Sequence, residues 1–200
     1  MLKLGITGGI GSGKSFVSRM LIQEGIPVFD CDSQAKYLTA TSSQIRTALV
    51  DLLGEEVYTT EGLNKPLLAS YLFASKENAE RINSIIHPCV RSAFREWCQA
   101  NLLEGVEVVA MESAILYESG FESEVDKVLM VYAPLSVRCE RIALRDHISQ
   151  SEVRARIAAQ MPDEEKCEKA DFIINNDGKS QLEEQLERLF LLLKGRKDDK

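Results

Sequence analysis

The sequence predicts an α/β fold: a five-stranded parallel sheet as its core, a helical insertion and a small helical lid. Three observations lead there. Five short apolar runs recur along the 200 residues, each with the length and near-continuous apolar character of a strand buried on both faces of a sheet. The first two bracket a glycine loop and a helical pattern, the order of a βαβ unit. A long stretch between the second and third runs carries helical rather than strand-like periodicity.

The first run is Leu2–Thr7, and it leads directly into glycines. Lys14–Glu24 follows with a helical pattern and stops at Gly25, a residue suited to the turn beyond a helix end. Pro27–Asp30 is the second run. The insertion spans Ser33 to Leu103, with few strand-like runs and helical periodicity in Gln44–Leu53, Lys65–Ala74, Glu77–Ile86 and Pro88–Leu103. The third and fourth runs are Glu107–Glu112 and Lys127–Tyr132. The fourth leads through Pro134 into a helix from Leu135 to about His147. Residues 149–169 read as two polar helical pieces broken near Pro162. Asp171–Asn175 is the fifth run. A last helix, Ser180–Leu193, precedes a charged tail, Lys194–Lys200, expected to fray. The expectation is one domain over 1–200. Its core is built from 1–32, 104–137 and 170–200, with a helical subdomain at 33–103 and a lid region at 138–169.

Hydrophobic residues make up 44% and charged residues 28%, enough apolar material for one core. A net charge of -7 argues against a nucleic-acid or membrane surface. No stretch has the pattern of a signal peptide, and the apolar start is too short to span a bilayer. Five cysteines, odd in number and never spaced Cys-x-x-Cys, suggest neither a disulfide framework nor a zinc site. Reduced thiols fit a cytoplasmic protein.

The firmest motif is Gly8-Gly9-Ile10-Gly11-Ser12-Gly13-Lys14-Ser15, a full G-x-x-x-x-G-K-[ST] between a strand and a helix. Glycines let the backbone wrap closely around phosphate oxygens with N–H groups pointing inward. The following helix contributes the positive end of its dipole. Lys14 is expected to reach the β- and γ-phosphates of ATP, and the Ser15 hydroxyl to ligate Mg²⁺. A turn that merely joined strand to helix would need neither side chain.

The signatures of a GTPase are missing. Asn64-Lys65-Pro66-Leu67 lacks the guanine-reading Asp, and Asp51-Leu52-Leu53-Gly54 ends a helical pattern with Gly54 as its cap. A kinase acting on a small molecule has three further needs: an acid near the acceptor hydroxyl, a helical acceptor-binding part and an arginine-rich lid. Asp30 and Asp32 follow the second strand, at the sheet edge where ligands bind in open parallel folds. If the chain stays extended there, alternation puts both carboxylates on one side. One would accept a proton and the other hold metal water; equally, Asp32 or Ser33 would serve as a helix N-cap. Arg138, Arg141, Arg145, Arg154 and Arg156 supply the lid cations. Arg141 and Arg145 share a helix face, as do Arg156 and Gln160. Arg138 and Arg154 are read as a solvated face. His147 is read as solvated too. His87, before Pro88 where two helical patterns meet, either caps a helix end or contacts an acceptor phosphate.

These residues, in this order, resemble the dephospho-coenzyme A kinase family. The resemblance runs from Thr7-Gly8-Gly9 through Lys14-Ser15, Asp30-Cys31-Asp32, His87-Pro88, Leu116-Tyr117-Glu118, Arg141 to Arg145-Asp146 and Arg156 with Gln160. It ends at Ala170-Asp171-Phe172-Ile173-Ile174-Asn175-Asn176 and covers about residues 2–180. It implies transfer of the γ-phosphoryl of ATP to the 3′-hydroxyl of dephospho-coenzyme A. It also implies a five-stranded core, a helical acceptor domain and a lid. By that likeness Asp32 is the general base, with Lys14 and Arg141 sharing the catalytic role. Thr7, Gly11, Ser12, Gly13, Lys14, Ser15, Phe16, Arg145 and Arg156 would face ATP. Asp32, Lys36 and His87 would face the acceptor, and Ser15, with Asp30 or Glu112, would hold Mg²⁺. The sequence departs from the family pattern in four places. Phe16 stands where a small polar residue is common, Lys36 for an arginine, and Asn64-Lys65 for Asp-Arg. Glu112, with Ala114-Ile115-Leu116, replaces an Asp and Pro-Leu-Leu. The expected partners are ATP and dephospho-coenzyme A alone, with no nucleic acid and no membrane, and the chain is taken as a monomer. A nucleoside monophosphate kinase and a nucleotide-binding module without catalysis are the competing readings.

Overall fold

The structure is a computed structural model that describes residues 1–194. The tail expected to fray therefore lies, beyond Lys194, outside the described residues. Five strands form one parallel sheet in the order β2-β5-β1-β6-β7. They are β1 (Leu2–Thr7), β2 (Val28–Asp30), β5 (Val108–Glu112), β6 (Lys127–Tyr132) and β7 (Phe172–Asn175). Each coincides with an apolar run to within a residue. The central strand β1 pairs with β5 on one side, Leu4 opposite Ala110, and with β6 on the other, Ile6 opposite Leu129. Leu4, Ile6, Ala110, Leu129 and Val131 are buried in a core with Val17 and Leu21 of α1 (Lys14–Gln23). The last helix, α9 (Leu182–Lys194), adds Leu182, Leu186, Leu189 and Leu193 to that core. Burial on both faces is why β1, β5 and β6 read as continuous apolar runs.

The chain divides into two compact units: Met1–Phe29 with the chain from Glu104 onward, and Asp30–Leu103. The second unit is helical: α2 (Cys31–Thr41), α3 (Ser43–Leu53), α4 (Lys65–Ala74) and α5 (Lys76–Leu103). Its own core gathers Ile45, Leu49, Val57, Tyr58 and Ile82. Gly54 closes α3 with φ 87, and Asn64 caps α4 by accepting from the Leu67 N–H, so neither belongs to a guanine site.

One expectation fails in this unit. The patterns taken to part at His87-Pro88 are one 28-residue helix, α5, with Pro88 inside it. A proline there removes one backbone hydrogen bond, but Pro88 and Ser84, the residue four positions before it, are both exposed. The buried stripe Ile82, Val90, Phe94 and Cys98 runs straight through at helical spacing and holds the two halves together. The structure also contains an antiparallel hairpin, β3 (Tyr58–Thr59) and β4 (Gly62–Leu63), with Tyr58 opposite Leu63. Two-residue strands are too short to leave a period-2 pattern.

In the first unit, β6 is followed by α6 (Leu135–Asp146), α7 (Gln150–Ala158) and α8 (Asp163–Lys169). His147, exposed, ends α6 in the left-handed conformation with φ 52. A capping box between Ser149 and Glu152 starts α7. Among the described residues no helix is long and apolar enough to cross a membrane.

Candidate active site

The P-loop leaves β1 at Gly8 and enters α1 at Lys14. Gly13, with φ 95, is the N-cap of α1, and among the described residues no side chain caps that helix. A Cβ on Gly13 would collide with the Asn176 side chain, whose Nδ2 donates to Ser12 O at 2.8 Å. The loop thus needs glycine here both for its backbone angle and for the close approach of Asn176. Thr7 Oγ1 and Ser12 Oγ are buried and lack a hydrogen-bond partner among the described residues. Buried orphan hydroxyls are rare in a finished core and mark a place built for a polar ligand.

Lys14 is buried, and its ammonium donates to Gly8 O at 2.9 Å. Ser15 Oγ donates to Glu112 Oε1 at 2.9 Å, bringing together a hydroxyl and a carboxylate 97 residues apart. Hard oxygen donors of this kind suit Mg²⁺, so Ser15 and Glu112 fit that ion. Arg141 Nη1 lies 3.5 Å from Gly11 O and 3.4 Å from Ser12 O, so the guanidinium rests on the phosphate-binding loop. Phe16 is exposed, with the Arg19 guanidinium 5.7 Å from its ring centre.

Arg145 and Arg156 converge on one acid. Arg145 grips Asp146 through Nε and Nη2 at 2.7 and 3.0 Å, and Arg156 Nη1 reaches Asp146 Oδ2 at 2.7 Å. Hydrogen bonds from Arg145, then the charges of both arginines, hold the Asp146 carboxyl below its usual range. Arg154 is exposed, as expected. Arg138 is not: it is 3% exposed, ion-paired with Asp163, and donates through Nε to Ile10 O at 2.9 Å. The solvated-face reading fails because the N-terminal half of α6 packs on the P-loop, a contact that no helical pattern records. Sequence reasoning also missed Asp163, Lys166 and the loop contact of Asn176. Lys166 is fully buried and bonded to Glu118 and Ala114 O. Of the three, Asn176 alone stands among the residues that carry the family likeness.

The acid pair after β2 has a different geometry from the expected one. α2 begins immediately, so the chain is not extended and the two carboxylates do not alternate along a strand. Asp30, rather than Asp32 or Ser33, is the N-cap. Its Oδ1 accepts from the Asp32 and Ser33 amides at 3.0 and 3.2 Å, and Oδ2 accepts from Ser33 Oγ at 2.5 Å. Both oxygens are engaged in capping. Asp32, exposed, sits in the first turn of α2, and Lys36, also exposed, lies one turn further on. His87 lies inside α5, so it caps no helix end. Burial, then the charge of Arg91, lowers its pKa.

A family model, CoaE: Dephospho-CoA kinase, matches residues 2–182. The chain belongs to the dephospho-CoA kinase family. Relatives in that family include a dephospho-CoA kinase of Bacteroides fragilis (strain YCH46), 51% identical over 192 residues, 96% of this chain and 93% of that one. One from Bacillus cereus (strain ATCC 10987 / NRS 248) is 39% identical over 186 residues, 90% of this chain and 93% of that one. Among solved structures, TT1252 from Thermus thermophilus superposes with a TM-score of 0.79 at 32% identity, covering 99% of this chain and 98% of that one. Shikimate kinase from Acinetobacter baumannii, solved in complex with shikimate, gives a TM-score of 0.54 at 15% identity, covering 100% of this chain and 96% of that one, a likeness of fold. In this dephospho-CoA kinase family member the acid at the end of β5 is Glu112, and its longer side chain reaches the Ser15 hydroxyl.

Proposed function

We propose that this chain transfers the γ-phosphoryl group of ATP to the 3′-hydroxyl of dephospho-coenzyme A, giving coenzyme A and ADP. Membership of the dephospho-CoA kinase family carries the reading. The grouping of Lys14, Ser15, Glu112 and Arg141 about one glycine loop supports it.

The acceptor oxygen attacks the γ-phosphorus as the bond to the β–γ bridging oxygen breaks. Asp32 takes the hydroxyl proton, and ADP leaves with the bridging oxygen. Lys14 exchanges the Gly8 carbonyl for β- and γ-phosphate oxygens, where its fixed charge offsets what develops in the transition state. Arg141 neutralises charge beside the loop. Arg145 and Arg156, oriented by Asp146, close over the triphosphate as lid groups from 138–169. Ser15 and Glu112 would hold Mg²⁺, which supplies charge neutralisation on the phosphates. The helical unit, with Lys36 and His87, binds the acceptor. The enzyme acts as a cytoplasmic monomer, which light scattering at the one-chain mass tests.

The decisive assay offers purified protein and Mg-ATP to dephospho-coenzyme A, AMP, CMP and UMP separately, with ADP release as the readout. Turnover is expected with dephospho-coenzyme A. Turnover with a monophosphate instead would make the chain a nucleoside monophosphate kinase. ATP binding without any turnover would make it a nucleotide-binding module.

A further inference from the structure

Ile10 stands at the apex of the P-loop, and side chains from the segment after β6 hold both of its backbone groups. Its N–H donates to Gln160 Oε1 at 2.8 Å, and its carbonyl accepts from Arg138 Nε at 2.9 Å. The Arg138 guanidinium lies so close to Gly9 that a Cβ there would collide with it, and Arg138 Nη1 is ion-paired with Asp163 at the start of α8. The α7–α8 junction is itself anchored. The Met161 N–H donates to Glu118 Oε1 at 2.9 Å, and the fully buried Lys166 reaches the same oxygen at 2.9 Å and Ala114 O at 2.8 Å. The position of that junction is thereby passed to the loop through two side chains.

Stability alone is a weak reason for this arrangement. A buried ion pair is often no better than apolar residues of the same volume. This one also leaves Asp163 Oδ1 buried with no hydrogen-bond partner among the described residues. An arginine fork that reaches a loop carbonyl is what the apolar alternative lacks.

We infer that Arg138, oriented by Asp163, is a positioning residue that together with Gln160 sets the P-loop apex at Ile10, and so sets the affinity of the loop for ATP. It acts through the loop backbone rather than on the reacting atoms. The inference rests on the proposed ATP site.

The test compares Arg138→Met, Arg138→Met with Asp163→Leu, and Gln160→Ala, reading thermal midpoint, calorimetric affinity for Mg-ATP, and KM for each substrate. Arg138→Met should lower the midpoint and weaken ATP binding about 10- to 100-fold, the range for a charged hydrogen bond. The double variant should recover most of the midpoint, since the unpaired Asp163 is gone. Its ATP affinity should stay at least about 10-fold weak, with KM for dephospho-coenzyme A within about twofold of wild type. Recovery of affinity together with the midpoint, or equal rises in both KM values, would overturn the inference. Should the double variant fail to fold, the half-buried Gln160→Ala decides: about 3- to 10-fold weaker ATP binding at an unchanged midpoint supports it, and unchanged affinity refutes it. Wild-type protein that binds ATP yet ignores dephospho-coenzyme A would sink the proposed function and leave this inference standing.

Discussion

Twice the chain leaves a parallel strand and enters a helix, and the two turns are built in opposite ways. After β1, six residues from Gly8 to Gly13 intervene, Gly13 takes the left-handed conformation, and among the described residues no side chain caps α1. After β2 nothing intervenes: Asp30 ends the strand, and its carboxylate takes the Asp32 and Ser33 amides of α2. The first turn of α1 carries Lys14 and no acid, whereas that of α2 carries Asp32. A helix N-terminus without a side-chain cap attracts an anion; one capped by a carboxylate has its amides already matched. The first turn is therefore built for phosphate. The second has its capping need met by Asp30, so its cap is not Asp32.

The largest expected effect tests that division directly. Asp32→Asn should cut turnover about 10²- to 10⁴-fold, the range for general-base catalysis, while calorimetric affinity for Mg-ATP stays near wild type. Retained turnover would remove Asp32 from the base role and make both acids of the second turn structural.

Gly13→Ala attacks the other turn. A side chain at φ 95 is strained and collides with Asn176, and strain of about 1–3 kcal/mol should weaken ATP binding about 5- to 150-fold. Unchanged affinity would show the glycine loop to be only a connection. Asp30→Ala should cost about 1 kcal/mol in urea denaturation through loss of the cap, with ATP affinity unaltered. An equal loss of ATP affinity would merge the two turns into one site.

The smallest effect concerns pH. Burial and Arg91 hold His87 below the ordinary imidazole value, so the unfolded chain binds its proton more readily. The stability this group contributes is full above about pH 6.5 and falls as pH drops towards the folded value. His87→Gln should therefore flatten the decline in urea midpoint between about pH 7.5 and about pH 5.5. An identical decline in the variant would place that pH dependence elsewhere.

Much of the core was legible before the structure. β1, β5 and β6 announced themselves because burial on both faces leaves continuous apolar runs. The P-loop was legible because its glycines and Lys14-Ser15 are contiguous. The hairpin at Tyr58–Leu63 left no pattern, and Pro88 read as a break because a proline signal is local while the stripe from Ile82 to Cys98 is not. Arg138 looked like its neighbours on α6, since nothing in helical spacing says which arginine meets a loop 128 residues away.

The sequence by itself determined the parallel core, the phosphate-binding loop and the family, for these rest on local patterns and on ordered motifs. Only the tertiary structure decided that Asp30 rather than Asp32 caps α2, that Ser15 meets Glu112, and that Arg138 is a buried clamp. Each depends on where a side chain ends once the chain is packed, and burial, partner and distance belong to the folded molecule rather than to residue order.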